Sequence, residues 1–79
     1  MEDRVTENDI TNARFFSVTI YFLLNGIDSS ETSVPLLKAA ASKIEDEIQL
    51  HGSARLPLEN GRTMIFAPGS ITRAVMSPL

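Results

Sequence analysis

The chain contains no cysteine. That absence removes disulfide bonds and thiolate zinc sites together, and it fits a reducing, cytoplasmic compartment. Histidine is almost as scarce: His51 is the only one, and no second imidazole or thiolate stands ready to complete a metal site. A membrane-spanning segment is not expected, because the longest apolar stretch, Phe15 to Leu24, has about half of the ~20 residues that cross a bilayer. Nor does that stretch read as a secretory signal, since Met1-Glu2-Asp3-Arg4 supplies no basic leader and no small-residue cleavage site follows. Excess positive charge is missing too. Seven Lys and Arg stand against ten Asp and Glu, with no basic stripe interleaved with aromatics, so nucleic acid is an unfavourable partner. Phosphate-binding glycine patterns are absent: Asn25 to Ser33 matches neither Gly-x-Gly-x-x-Gly nor Gly-Lys-Ser/Thr, and Asp28 and Glu31 would repel an anion there. Ser70 follows Gly69 without the rest of a nucleophile elbow. These absences argue against an enzyme, and they leave no residue to name as catalytic, as a metal ligand or as the seat of a cofactor.

Size sets a further limit. A chain of 79 residues buries only roughly 60% of the surface its unfolded form exposes. A core that small rarely supplies more than about 3–5 kcal/mol, and with disulfides and metal excluded, association with a second subunit is the remaining way to reinforce it.

What the chain does have is concentrated in Phe15 to Leu24. Every second residue from Phe16 to Leu24 is apolar (Phe16, Val18, Ile20, Phe22, Leu24), the period of a β-strand lying on a core. The intervening residues, Phe15, Ser17, Thr19, Tyr21 and Leu23, mix apolar and hydroxylated groups, too greasy for open water and too polar for a sealed interior. That second face is where binding or self-association is expected.

Before this strand, residues 1–13 are polar and show neither helical nor strand period, so they read as a flexible arm. After it, Asn25-Gly26 marks a turn and Asp28 to Ser33 reads as a polar loop, with Ser33 as helix cap and Pro35 in the first turn. The helix is expected to run to about Leu50 with Val34, Leu37, Ala41, Ile44 and Ile48 on its apolar stripe, and to stop at Gly52. Glu45, Asp46 and Glu47 crowd its C-terminal end, where the helix dipole favours cations, so an acidic patch for a basic partner is one reading of them.

From Ala54 onward the pattern is β. Leu58-Glu59-Asn60-Gly61-Arg62 signals a hairpin, and Pro57 selects its register. A two-residue loop would put Pro57 where a strand N–H must donate. A three-residue loop of Glu59, Asn60 and Gly61 places it opposite Thr63 instead and aligns Leu56, Leu58, Met64 and Phe66 on one face. Pro68-Gly69 forms a turn, and Ile71 to Met76 reads as a last strand in which Ile71, Arg73 and Val75 alternate with Thr72, Ala74 and Met76, with a one-turn helix capped by Ser70 as the alternative.

The expected fold is therefore α+β: residues 14–79 as a single domain with one helix on one face of a four-stranded, mostly antiparallel sheet, in the order β-α-β-β-β. Its uncovered face would carry Phe15, Tyr21, Leu23 and Ile65. Charge is divided along the chain, −5 over residues 1–50 and +2 over 51–79, so the late arginines either meet early carboxylates or form a site for an anion. The leading expectation is a non-enzymatic interaction protein, a cytoplasmic homodimer acting as an inhibitor or adaptor. It would bind another protein through the uncovered face (Phe15, Tyr21, Leu23), a strand edge, or the Glu45, Asp46 and Glu47 patch. The alternative is a binder of a small nucleotide-type anion held by Arg55, Arg62 and Arg73 at a subunit interface. In size and layout alone, a short acidic cysteine-free chain on a single sheet resembles the small inhibitor and adaptor proteins of phages, which implies inhibition of a host enzyme.

Overall fold

Four of the five alternating apolar residues on the first strand, Phe16, Val18, Ile20 and Phe22, are buried, and Phe15–Leu24 (β1) is the middle strand of the molecule. The computed structural model describes residues 14–79; the arm expected at 1–13 lies outside them. From β1 the chain turns through Asn25 and Gly26 straight into β2 (Ile27–Thr32). Both turn residues have positive φ, 52° and 79°, the geometry whose twist suits a two-residue hairpin. Asp28 to Ser33, expected as a loop, is thus mostly strand. Its serines and acids suit an outer strand with neither face sealed, and so it lacks the apolar alternation by which strands are recognised.

β3 (Leu36–Leu37) pairs with the opposite end of β1, in the same lane as β2 but one residue out of step, since Thr19 faces Thr32 whereas Phe16 faces Leu36. The extra residue is accommodated at Ser33 to Pro35 as a bulge. Ser33 repairs the ladder there. Its N–H donates to the Val18 carbonyl at 2.8 Å. Its Oγ accepts from the Val18 N–H at 2.9 Å and donates to the Val34 carbonyl at 2.8 Å. A hydroxyl committed in this way cannot cap a helix. The helix, α1 (Lys38–His51), accordingly starts later than expected, after Leu37, with no side-chain cap. It ends as expected at Gly52, whose φ of 67° lets its N–H reach the Ile48 carbonyl at 2.8 Å.

Beyond the helix, β4 (Arg55–Pro57) and β5 (Thr63–Ile65) form a separate two-stranded sheet closed by a 3-10 turn, Glu59–Gly61. The loop has three residues. Pro57 faces Thr63, Leu56 faces Met64, and the Leu58 N–H donates to the Arg62 carbonyl at 2.7 Å, the register that Pro57 requires. A bond from the Val34 N–H to the Pro57 carbonyl, 3.1 Å, ties this hairpin to the bulge between β2 and β3.

β6 (Ile71–Pro78) returns to the other side of β1, antiparallel like every pairing described, and is a strand rather than a short helix. Thr72 is an extra residue opposite the Tyr21/Phe22 step, with its Oγ1 donating to the Tyr21 carbonyl at 3.0 Å. A one-residue shift exchanges the two faces of a strand. Ile71 therefore joins Ala74 and Met76 on the core side, while Arg73 and Val75 lie on the other face. The alternation expected for Ile71, Arg73 and Val75 breaks at this bulge.

The result is an α+β fold in which α1 and the β4–β5 hairpin cover one face of a four-stranded sheet. The core between them holds Phe16, Val18, Ile20 and Phe22 from β1, Ala41 and Ile44 from α1, and Ala54, Leu56 and Phe66 from the hairpin and its flanks. Phe22 meets Phe66 edge to face, with ring centres 5.0 Å apart. No described element covers the sheet's other face. Ile65, expected there, is instead on β5 opposite Arg55 and 71% exposed. No helix among the described residues is long and apolar enough to cross a membrane.

Candidate functional site

The uncovered face is set by the parity of β1 and by its partners' registers. Residues directly opposite one another share a face. Phe15 therefore stands in a row with Leu37, Ser17 with Ser77, Thr19 between Thr32 and Val75, Tyr21 between Ser30 and Arg73, and Leu23 beside Asp28. The ends of this face are apolar, Phe15 being 46% and Leu23 45% exposed, and its middle is polar. Thr19 and Thr32 join their hydroxyls at 2.9 Å. Next to them the Arg73 guanidinium lies over the Tyr21 ring, 4.1 Å from its centre. At an exposed site such stacking contributes about 0.5–1 kcal/mol, and it favours one arrangement of two long side chains.

Shallow hollows flank Tyr21. One, of about 230 Å³, is lined by Tyr21, Phe22, Asp28, Ser29, Thr72 and Arg73. A second, about 270 Å³, lies against Tyr21, Asp28, Ser29 and Ser30. Asp28 and Arg73 both line the first, so it carries a carboxylate as well as a guanidinium.

Phe15, Tyr21 and Leu23 thus share the uncovered face. Glu45, Asp46 and Glu47 do not join them: they belong to α1, which lies on the covered side, with Glu45 and Glu47 half-buried and Asp46 exposed. The three arginines stand on different elements. Arg73 is on β6 over Tyr21; Arg55 is on β4 opposite Ile65; Arg62 follows the hairpin loop, its Nε donating to the Glu59 carbonyl at 3.4 Å. Arg62 borders another hollow, with Glu31 and Glu59 among its walls. In both hollows a late arginine shares space with an early carboxylate, in line with the opposite charges of the chain's two halves. His51 is exposed in the last turn of α1, where a cation complements the helix dipole. Among the described residues no group of three or more His, Cys, Asp or Glu is placed to hold a metal ion. Ser70 is engaged in its own turn, with Oγ donating to the Ala67 carbonyl at 2.7 Å.

Two features of this face escaped the sequence reading: the Thr19–Thr32 hydroxyl pair and the placing of Ser30 and Asp28 beside Tyr21 and Leu23. The signal for both was Asn25-Gly26. Read as a two-residue hairpin turn, it folds Leu24 onto Ile27 and fixes the remaining pairs by counting.

No protein-family model matches the chain, and no similar curated protein or solved structure was found.

Proposed function

We propose that the protein is a small non-enzymatic interaction module, a homodimer that acts as an inhibitor or adaptor by holding another protein on the uncovered face of its sheet. The observation that carries this reading is the stacked Tyr21–Arg73 pair in the middle of that face, with half-exposed apolar side chains at either end. Tyrosine and arginine are the residue types in which interface binding energy concentrates, and a surrounding ring of apolar and hydroxyl groups is suited to excluding water from them. A cytoplasmic setting fits the lack of cysteine. The test is partner capture from native lysate followed by mass spectrometry. Tyr21→Ala is expected to abolish capture while leaving the circular dichroism spectrum unchanged, because Tyr21 is not part of the buried core. Undiminished capture by Tyr21→Ala, together with loss on reversing the charges of Glu45, Asp46 and Glu47, would move the binding surface to α1. Undiminished capture by both variants would overturn the reading.

One observation favours a second reading. Arg73 lines a hollow with Ser29 and Thr72 and is the donor there suited to a small anion, although Asp28 shares the hollow and the two hydroxyls already donate to the Ile27 and Tyr21 carbonyls. An anion held there would raise the melting temperature logarithmically once its concentration passes the dissociation constant, and a panel of nucleotides and inorganic phosphate without a shift removes this reading.

A further inference from the structure

The outer edge of β6 has a property that the edge of β2 lacks. Among the described residues β6 pairs only with β1, leaving its far side unpaired along an eight-residue strand. The Leu79 N–H donates to the Phe15 carbonyl at 2.8 Å. Bonding in an antiparallel pair alternates, so below the bulge the odd-numbered residues Arg73, Val75 and Ser77 turn their backbone groups towards β1, and Ala74 and Met76 turn theirs outward. The outward stretch is bounded at one end by Pro78, which has no N–H, and at the other by the bulge at Thr72. Ala74 and Met76, the intact outward residues, lie symmetrically about Val75.

We propose that this edge takes β6 of a second copy of the chain, antiparallel, about a two-fold axis passing at Val75. This rests on the reading of the chain as a dimeric interaction module and names the interface. In that register Ala74 of each copy faces Met76 of the other, and the two pairs exchange four backbone hydrogen bonds with no proline among their donors. Val75, 41% exposed in the single chain, meets its own mate on the uncovered face. Arg73 falls opposite Ser77 of the second copy, so no like charges oppose one another. Placing the axis at Arg73 would set the two guanidiniums face to face. Placing it at Met76 would put Pro78 opposite Ala74, where a donor is needed. The edge of β2 is a poorer choice, because Asp28 and Glu31 give it two charges of one sign and Val34, just beyond it, is tied to Pro57. Pairing through β6 merges the two uncovered faces into one, with both Tyr21–Arg73 pairs near its centre.

Two acidic substitutions two residues apart on the same face separate this interface from any general effect of charge. Val75→Glu sets two carboxylates opposite each other at the axis and should weaken the dimer. Ser77→Glu sets a carboxylate opposite Arg73 of the other copy, twice per dimer, and should tighten it by roughly two- to thirty-fold. Sedimentation equilibrium on the full chain and both variants reads the dissociation constants, and circular dichroism checks the fold. Opposite shifts in the two variants support the interface; should Val75→Glu fail to fold, tightening by Ser77→Glu supports it alone. Shifts of the same sign, a dimer indifferent to both, or a wild-type chain that stays monomeric at every concentration reached would overturn it. None of these results touches the Tyr21→Ala capture test, which stands or falls separately.

Discussion

Replacing Ser33 with alanine should destabilise the protein far more than the loss of one oxygen atom suggests. Ser33 is 7% exposed, and its Oγ is the acceptor for the Val18 N–H at the step where β2 gives way to β3. Val18 is fully buried in the middle of β1, so the donor released by the substitution has no solvent of its own to turn to. A buried donor left unsatisfied costs about 1–3 kcal/mol. The Val34 carbonyl loses its hydroxyl donor as well. A water entering from the hollow beside Ser33 would bring the cost to the lower end of that range. A loss near 2 kcal/mol corresponds to a fall of roughly 8–16 °C in melting temperature for a domain of this size, and it is a large share of the ~3–5 kcal/mol that such a core supplies. Differential scanning fluorimetry and urea titration measure it. Ser29→Ala is the control, since the Ser29 Oγ makes only an exposed 3.3 Å contact with the Ile27 carbonyl. Amide exchange at Val18 adds a local readout. If Ser33→Ala melted within 2 °C of wild type and Val18 kept its protection, the claim that a side chain completes this ladder would be refuted.

Phe66→Ala, which removes a 3% exposed ring packed on Phe22, should cost about 3–5 kcal/mol and leave little folded protein at 25 °C, seen as loss of a cooperative urea transition. A cooperative transition displaced by less than 1 kcal/mol would mean that the hairpin is not part of the core. Gly26→Ala should cost about 1–2 kcal/mol from backbone strain alone: φ is 79° there, and a methyl group would meet nothing within 4 Å. An unchanged urea midpoint would count against the two-residue turn.

Much of the fold could be read from residues with only one workable environment. The alternation of Phe16, Val18, Ile20 and Phe22 identifies β1 and, by parity, the uncovered face with Phe15, Tyr21 and Leu23. Pro57 fixes the second hairpin because it has no N–H to give, and Gly52 ends the helix because its backbone is left-handed. Other parts were illegible for equally physical reasons. β2 is an outer strand whose polar residues carry no alternation, so capping residues and strand residues look alike there. The bulges at Ser33 and Thr72 each insert a single residue, and one residue is enough to exchange faces; no local pattern marks either. The candidate site inherited this difficulty. Its β1 half follows from the sequence, whereas the arginine that meets Tyr21 depends on a long-range pairing beyond a bulge.

The two outer lanes of the sheet differ in how far the chain must travel to close them on β1. Thr19 and Thr32, across the first hairpin, are 13 residues apart, whereas Thr72 reaches Tyr21 across 51. Two doublings of loop length add about 1.2 kcal/mol of closure entropy. The hairpin can therefore form early, from neighbours, while β6 must be brought in against a larger search and gains nothing until it docks. Since even-numbered residues of β1 bond towards the hairpin and odd-numbered ones towards β6, a single strand holds amides belonging to two separate closures. Late arrival and early departure of β6 would bare alternate amides of β1, at Ser17, Thr19 and Tyr21, while Val18 and Ile20 remained engaged.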